Sequence, residues 1–510
     1  MKKIRVRCDP ALFSSRSFTF FSIALITYAI IGMVLLYRAG GDYWEHLASM
    51  YSFARHPFNP PNPYSLADHP LHLFTPFHFF WGLFARMLQL HPFYLLPLIA
   101  GINMTLFIVG VQRFAKKILG DSRYALPLAL TLLFFWIFPW EWSGFYHFSL
   151  LPLTAMYPYW FAFPVSIYIL AEFDESIKTP RLLFFSVITA CIAMSHPLTG
   201  SFLIISLAIK IALMTSISFY RRLLYFILPA SLTATAFVFW PFFPIVDTIL
   251  GSSSFAALGF GGAWQEFYQN VFWRLLSTLP AMPFVVFQLA RKRFTLVSLG
   301  LPIMCLIYLC NWLFFHNSTL GRYVIYIAFY GHVGIVQMLQ HFEAKGNRRK
   351  AARFFVAVAI CLAASQLVLS SRFIGPFRDL VFDKSLGTYS NIRIFRELLV
   401  FAKYVEPGDV VLSPMGTSWQ IPAVLGCKVV GVEHSNPFMP DYAERRNATA
   451  LFFRESGVGA QKKLDILRQY NVAFILAPEE LLSSISEIQG ELNFVYRDNA
   501  YALYEFQLTK

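Results

Sequence analysis

The sequence predicts an α-helical protein that crosses a membrane many times and ends in a small α/β domain. Three observations predict it. First, 57% of the 510 residues are hydrophobic and only 14% are charged, against about 25% charged in a soluble chain. Second, apolar runs long enough to span a bilayer recur from Phe18 to Ser370. Third, the composition turns mixed and polar after Ser370, with no further spanning run. The mean hydropathy is +0.53.

The formal charge of +14 reads first as cytoplasmic loop charge on a membrane protein. No nucleic-acid-binding signature accompanies it. The 6 cysteines show no CxxC spacing. Cys191, Cys305, Cys310 and Cys361 lie in apolar runs and read as small buried hydrophobes. MKKIRVR before an apolar run resembles a signal peptide, but that run, Phe18–Tyr37, is long enough to be a retained first helix.

Lys and Arg set the orientation. Lys2, Lys3, Arg5, Arg7 and Arg16 place the N-terminus inside, so Arg38–Pro70 lies outside. The next basic cluster is Arg113, Lys116, Lys117 and Arg123. It lands inside only if one of Leu71–Leu90 and Phe93–Val111 spans. Leu71–Leu90, with His72, Pro76, His78 and Arg86, is therefore expected to be interfacial. The later basic loops (Lys178 and Arg181; Arg221 and Arg222; Arg291 to Arg293; Lys345 to Arg353) then alternate correctly. The sum is about eleven spanning helices. Glu141–Leu150, Ser195–Gly200, Pro241–Thr278 and His316–Arg322 become outer connections, and the glycine-rich Pro241–Thr278 has the make-up of a mobile gate or a plain connector.

The division expected is 1–371 for the membrane domain and 372–510 for the outer α/β domain. In the latter, Val410–Leu412, Lys428–Val432 and Ala473–Leu476 read as buried strands. Met439–Arg454 and Ala460–Tyr470 read as helices. Phe494–Arg497 and Tyr501–Phe506 flank Asp498-Asn499-Ala500, a hairpin turn. No glycine-rich phosphate fingerprint is present, so a nucleotide site is not expected.

Chemistry concentrates in RAGGDYWEHLASMYSFARHPFNPPNPYSLADHP, Arg38 to Pro70. A short helix over Tyr43–Ala54 puts Asp42, Glu45 and His46 on one face. Trp44, Leu47 and Tyr51 fall on the other, which suits a helix lying along a membrane surface. Pro57, Pro60, Pro61 and Pro63 then force an irregular loop that carries Asp68 and His69. The other outer-side candidates are Glu141 with His147 in FPWEWSGFYH, His196 in SHPLTG and Arg322 in HNSTLGRY. Ionisable groups at membrane edges are costly and therefore functional candidates. Each also has a plain reading, as an interfacial, core or snorkelling residue. Oxygen and imidazole donors in the first loop could build a divalent cation site. There is no HExxH, cysteine cluster or GxSxG.

This layout resembles the GT-C superfamily of membrane glycosyltransferases, which includes oligosaccharyltransferases, protein O-mannosyltransferases and aminoarabinose transferases. The residues that carry the resemblance are GGDYWEH, the proline-rich NPPNPYSLADHPLHLFTPFHFF, and the C-terminal SWQIPAVLGCKVVGVEH, YAERRNATALFF and LDILRQYNVAFILAP. It implies glycosyl transfer from a polyprenyl-phosphate sugar to a glycan, lipid or protein acceptor outside the cytoplasm. It implies that Asp42, with Glu45 and His46 beside it, is the catalytic acid of the first loop, as base or metal ligand. Asp68, His69, Glu141, His196 and Arg322 become substrate-binding candidates, with Arg322 on the donor phosphate. Asp42 and Glu141 are the metal candidates, for Mg²⁺ or Mn²⁺. Glu141 sits in no D-x-D or E-x-D pattern. The setting implied is a bacterial inner membrane. Two other classes remain open: a transporter or lipid flippase, which needs intramembrane charges and repeated halves, and a non-catalytic scaffold with an outer sensor domain.

Overall fold

The computed structural model describes residues 14–33, 41–67, 69–137, 144–244, 263–369, 391–433, 439–454 and 458–507. Internal packing divides the chain into two units. One comprises residues 1–33, 97–236 and 259–382; the other comprises 34–96, 237–258 and 383–510.

The first unit is helical. Helix α1 (Ser15–Ile31) starts at Ser14, whose hydroxyl accepts from the amide of Ser17 at 3.1 Å. The second unit interrupts the sequence here and contributes α2 (Gly41–Arg55) and α3 (Pro76–Met87). The helical unit resumes with α4 (Leu96–Lys117), α5 (Ala125–Phe134) and α6 (Pro158–Glu172). Then come α7 (Thr179–Ser195), α8 (Pro197–Ala212), α9 (Phe219–Phe239), α10 (Ala281–Ala290), α11 (Leu296–Cys310), α12 (Val324–Phe342) and α13 (Arg348–Leu369). Among the described residues three helices, Pro92–Lys117, Phe219–Phe239 and Leu296–Phe315, are long and apolar enough to cross a membrane. The pair Phe148–Thr154 and Pro158–Glu172, bent by 119°, makes a fourth if it counts as one span, and six further apolar helices are shorter. Large apolar side chains stand exposed along α9 and α11, among them Ile227, Phe239, Leu306 and Leu309. Lipid, not water, suits such surfaces.

Proline sets the break between α7 and α8. Pro197 disfavours helical backbone at His196 and then serves as the first residue of α8. The His196 ring completes the turn, its Nδ1 accepting from the Thr199 amide at 3.2 Å. Gly200 lets the two helices touch: a Cβ there would sit 2.3 Å from Ala193 Cα. The thiols are free at Cys191, Cys305, Cys310, Cys361 and Cys427. Against expectation, the first three are half-buried and Cys361 is exposed; their apolar runs form one-sided helices, and these residues fall toward the outer side.

In the second unit the sequence folds around a five-stranded sheet. Its strands are β1 (Val410–Leu412), β2 (Lys428–Val429), β3 (Phe474–Pro478), β4 (Leu492–Arg497) and β5 (Tyr501–Phe506). The order is β2-β1-β3-β5-β4, parallel on one side of β3 and antiparallel on the other. Asp498 makes the β4–β5 turn by accepting the amides of Ala500 and Tyr501, both at 2.8 Å. Around it lie α14 (Asn391–Leu399), α15 (Gln420–Leu425), α16 (Tyr442–Phe452) and α17 (Ala460–Gln469). Phe452, Leu467, Ile475 and Ile488 form its core, and Leu66 from the proline-rich loop packs on it.

That loop, residues 56–75, forms no helix or strand among its described residues. The C-terminal segment supplies the partners. The Val429 amide donates to the Pro63 carbonyl at 3.3 Å, and Lys428 Nζ donates to that of Leu66 at 3.2 Å. The Tyr64 hydroxyl reaches the Trp419 carbonyl at 3.2 Å. Arg445 holds the junction. Its guanidinium is buried and donates to the carbonyls of Tyr64 (2.7 Å), Val430 (2.6 Å) and Val429 (3.0 Å). Burial holds its pKa below the usual value, and Asp441, 3.6 Å away, opposes this only in part. So large a desolvation cost is offset because Nε and Nη2 give all their N–H groups to carbonyls, while Nη1 faces Met439 Sδ and Asp441.

Helix α2 is covered on its apolar side by protein. Tyr43, Trp44, Leu47, Met50 and Phe53 are fully buried. The expected surface helix is thus a core helix of this unit, because α3 and α15 occupy the face that lipid would otherwise take. Gly82 of α3 allows the approach; a Cβ there would lie 2.5 Å from Phe53 Cβ. Arg86 of α3 caps the end of α2 through the carbonyls of Ala54 and Arg55, at 3.2 and 2.7 Å. Gly426 ends α15 at φ +73°, and a side chain there would strike Tyr51 at 2.9 Å.

Replacing Arg445 with Met should leave three carbonyls without their donor and cost about 3–5 kcal/mol. Hydrogen exchange in residues 57–67 should accelerate, and Arg445→Lys should restore only part of the protection. Unchanged exchange in Arg445→Met would show that the loop is held by other means.

Candidate functional site

Two polar clusters stand out, one in each unit. In the second unit the cluster begins on α2. Gly41 opens the helix and Asp42 occupies its first turn, where a carboxylate gains from the helix dipole. Asp42 and Glu45 are half-buried, one helical turn apart. The spacing expected from the sequence is therefore present. His46, the third member, is buried and turned into the unit: its Nδ1 lies 2.8 Å from His78 Nε2. The two rings stack at 5.0 Å between centroids. His78 Nδ1 in turn bonds the Thr75 hydroxyl at 2.8 Å. Both nitrogens of His78 are thereby committed. Trp44 Nε1 is buried and has no acceptor among the described residues. An orphaned donor of this kind costs about 1–3 kcal/mol.

His69 bonds Ser65 through Nδ1 at 2.9 Å, and its carbonyl accepts from Asn62 at 3.0 Å. Those bonds shape the proline-rich loop. Asp68 and Glu141 lie outside the described residues.

In the helical unit the cluster is built around the break between α7 and α8. His196 Nδ1 bonds the Thr199 hydroxyl at 2.8 Å, and that hydroxyl bonds Tyr326 at 3.0 Å. The Tyr159 ring packs edge-on against His196 at 5.3 Å. The Tyr159 hydroxyl and Ser195 Oγ are buried without hydrogen-bond partners among the described residues. Arg322 follows the short helix Ser318–Gly321, half-buried, with its guanidinium 5.7 Å from the Phe267 ring. Tyr323, next to it, donates to Ser201 at 2.6 Å. Tyr330 donates to Ser206 at 2.8 Å. Residues 323, 326 and 330 of the α12 stretch thus zip onto residues 201, 199 and 206 of α8. This joins the segments carrying Arg322 and His196. The sequence reading missed the zipper. Its signal was there, as Tyr at i, i+3 and i+7 in GRYVIYIAFYGH facing the hydroxyls of TGSFLIIS. His147, expected beside Glu141, is buried and bonded to Ser149 Oγ at 2.7 Å.

No three of His, Cys, Asp and Glu gather as a metal-ligand group among the described residues. Asp42 and Glu45 offer carboxylate oxygens, but the nearest imidazole, His46, is engaged with His78. The described donors alone do not fit a divalent cation.

With both clusters in view, the chain can be set beside known proteins. No family model matches it, and no curated protein matches it by sequence. Its fold is shared with solved structures. ArnT from Cupriavidus metallidurans bound to undecaprenyl phosphate superposes with a TM-score of 0.54 at 12% identity, covering 97% of this chain and 99% of the other. The same protein in the apo state gives 0.51 at 13% identity, covering 96% and 97%. The Archaeoglobus fulgidus oligosaccharyltransferase in complex with Zn and sulfate gives 0.50 at 12% identity, covering 96% of this chain and 74% of the other. The resemblance to GT-C glycosyltransferases therefore holds at the level of the fold, over nearly the whole chain.

The histidine pair makes a pH prediction. Neither α2 nor α3 belongs to the helices long and apolar enough to cross a membrane. Burial lowers the His46 pKa to about 4; Asp42 opposes this and His72 adds to it. Burial likewise holds His78 well below its usual value, helped by His46 and His72. Both rings are neutral when folded and titrate near 6.5 when unfolded. Their contribution is complete above pH 6.5 and is lost as the pH falls toward 4, by on the order of 3 kcal/mol for His46 alone. Thermal unfolding in detergent should show a falling Tm below pH 6.5. The His46→Leu/His78→Leu double variant should lose that slope; an equal slope in both proteins would contradict the assignment.

Proposed function

We propose that this protein is a membrane glycosyltransferase that moves a sugar from a polyprenyl-phosphate donor to an acceptor outside the cytoplasm. The likeness of fold to ArnT, whose solved structure holds undecaprenyl phosphate, is the observation that carries the reading: it spans 97% of this chain and 99% of that one. Under this reading the basic loops lie inside, the membrane is a bacterial inner membrane, and about eleven helices span it. Residues 1–371 form the membrane domain and 372–510 the outer domain. The acceptor is a glycan, lipid or protein.

The chemistry needs two charges. An acceptor hydroxyl attacks the anomeric carbon of the sugar while Asp42 takes its proton. The bond from that carbon to the phosphate oxygen breaks, and the lipid leaves as polyprenyl phosphate. Arg322 neutralises the departing phosphate, its planar fork suiting two oxygens at once. Glu45, one turn from Asp42, orients the acceptor. His46 positions α2 through His78. His196 binds sugar hydroxyls, beside the Tyr159 and Ser195 hydroxyls that have no partner among the described residues, and Asp68, His69 and Glu141 complete the substrate contacts. A divalent cation on Asp42 and Glu141 remains the cofactor proposal; no step here runs through it.

Asp42→Asn keeps the shape and removes the base. It should insert and unfold as the wild type does, while its transfer rate with lipid-linked sugars falls about 10²–10⁴-fold. Arg322→Ala should slow transfer too, and Arg322→Lys should recover part of it, keeping charge without the fork. Asp42→Asn activity within a few-fold of wild type would remove Asp42 from the chemistry.

A further inference from the structure

Between α9 and α10 a short 3₁₀ turn, Ala263–Phe267, is tied to the end of α11. The tie is a set of hydrogen bonds centred on Asn311, a fully buried residue. Its Nδ2 donates to the Tyr268 hydroxyl at 2.7 Å and to the Asn317 carbonyl at 2.9 Å. Its Oδ1 accepts from the Asn317 amide at 2.9 Å. That last bond fixes which way the side-chain amide points, since a backbone N–H can only donate. The Tyr268 hydroxyl donates in turn to the Tyr308 carbonyl at 3.1 Å, and the Tyr308 hydroxyl to the Phe267 carbonyl at 2.6 Å. The two tyrosine rings stack at 4.4 Å.

Both arms of this network end at Arg322. In one, Asn317, held by Asn311, caps the helix Ser318–Gly321 through the amides of Thr319 and Leu320, at 2.8 and 3.1 Å. Arg322 is the next residue. In the other, Tyr268 and Tyr308 seat Phe267, whose ring lies 5.7 Å from the Arg322 guanidinium carbon. Gly321 brings the two close: a Cβ there would stand 3.2 Å from Phe267 Cβ. The backbone that carries Arg322 and the ring beside it are thus both set by one amide. The chain takes an uncommon path to get there. Asn311–Phe315 form a single π turn, a form frequent at functional sites, and His316 leaves it at φ +50°.

We infer that Asn311 is a positioning residue which, with Tyr268, holds the Arg322 side chain where its fork meets a phosphate. The inference rests on the reading of Arg322 as the ligand of the donor phosphate. Asn311 has no exposed surface and three bonds already made, so it acts through its neighbours and touches no lipid itself. The gain is preorganisation. An arginine chain that is ordered only on binding gives up rotamer freedom at that moment, and the complex is weaker for it. One already seated on a ring and on a capped helix has lost that freedom on folding. Removing either hydrogen-bonding group of the Asn311–Tyr268 pair returns the freedom without removing the charge.

Native mass spectrometry of the purified full chain in detergent tests this, with undecaprenyl phosphate and undecaprenol as probes. The two share a tail and differ by the phosphate. The wild type should prefer the phosphate, and Arg322→Ala should cut that preference at least about tenfold. Tyr268→Phe, which removes one hydroxyl, and Asn311→Leu should each cut it several-fold and leave undecaprenol retention as in the wild type. In the Arg322→Ala background neither should cut it further. Damage to the fold alone would lower both lipids together. Equal loss of both lipids in the two variants, or an unaltered preference in both beside a sensitive Arg322→Ala, would overturn the inference and leave Arg322 in its role. A wild type without the preference, or an Arg322→Ala protein that keeps it, would remove the reading of Arg322 and the inference with it.

Discussion

The buried guanidinium of Arg445 is the contact on which the second unit depends. A stretch with prolines at 57, 60, 61 and 63 lacks those four amides and pairs its own backbone only in local turns. Arg445 gathers carbonyls from that stretch and from β2 around one charge. Lys428, Trp419 and the Val429 amide add the remaining bonds. The C-terminal segment is therefore structural support for a loop that precedes it by more than three hundred residues. A charge so placed is worth its desolvation because it fixes one arrangement of loop and sheet.

Support passes from the loop to the acidic helix. Thr75 ends the irregular stretch and bonds His78, His78 bonds His46, and His46 lies on α2 with Asp42 and Glu45. Covered by α3 and α15, α2 has little freedom to tilt. Under the proposed function, a base held this way would act without reorganising at the moment of transfer, which is where electrostatic catalysis gains most. The helical unit uses a different device, the tyrosine–hydroxyl zipper between α8 and α12, which joins the segments that carry His196 and Arg322. Hydroxyl pairs suit helices in lipid because each satisfies a polar group that no water would reach.

Much of the fold was legible in the sequence, since apolar runs and their breaks are local signals. The strands Val410–Leu412 and Tyr501–Phe506, the β4–β5 turn and the helices Tyr442–Phe452 and Ala460–Gln469 were readable from period and turn chemistry. The helix carrying Asp42 was also legible, from the spacing of Asp42, Glu45 and His46, two residues short of its start at Gly41. What was not legible depends on distant partners. The apolar side of α2 looks the same whether lipid or α15 covers it. Arg445 is one of two adjacent arginines in YAERRN, and nothing local says which is buried. His46 reads as catalytic beside Asp42 until His78, thirty-two residues on, is seen to claim its ring nitrogen.

The most direct test of the account is a single-turnover assay with purified protein and a panel of polyprenyl-phosphate sugars, scoring both the released lipid and the sugar transferred. A glycosyltransferase of the kind described releases one polyprenyl phosphate for each sugar gained by the acceptor, with at least one donor in the panel. Movement of the intact lipid-linked sugar across the membrane, with no cleavage of the sugar–phosphate bond, would contradict the account and return the chain to the transporters.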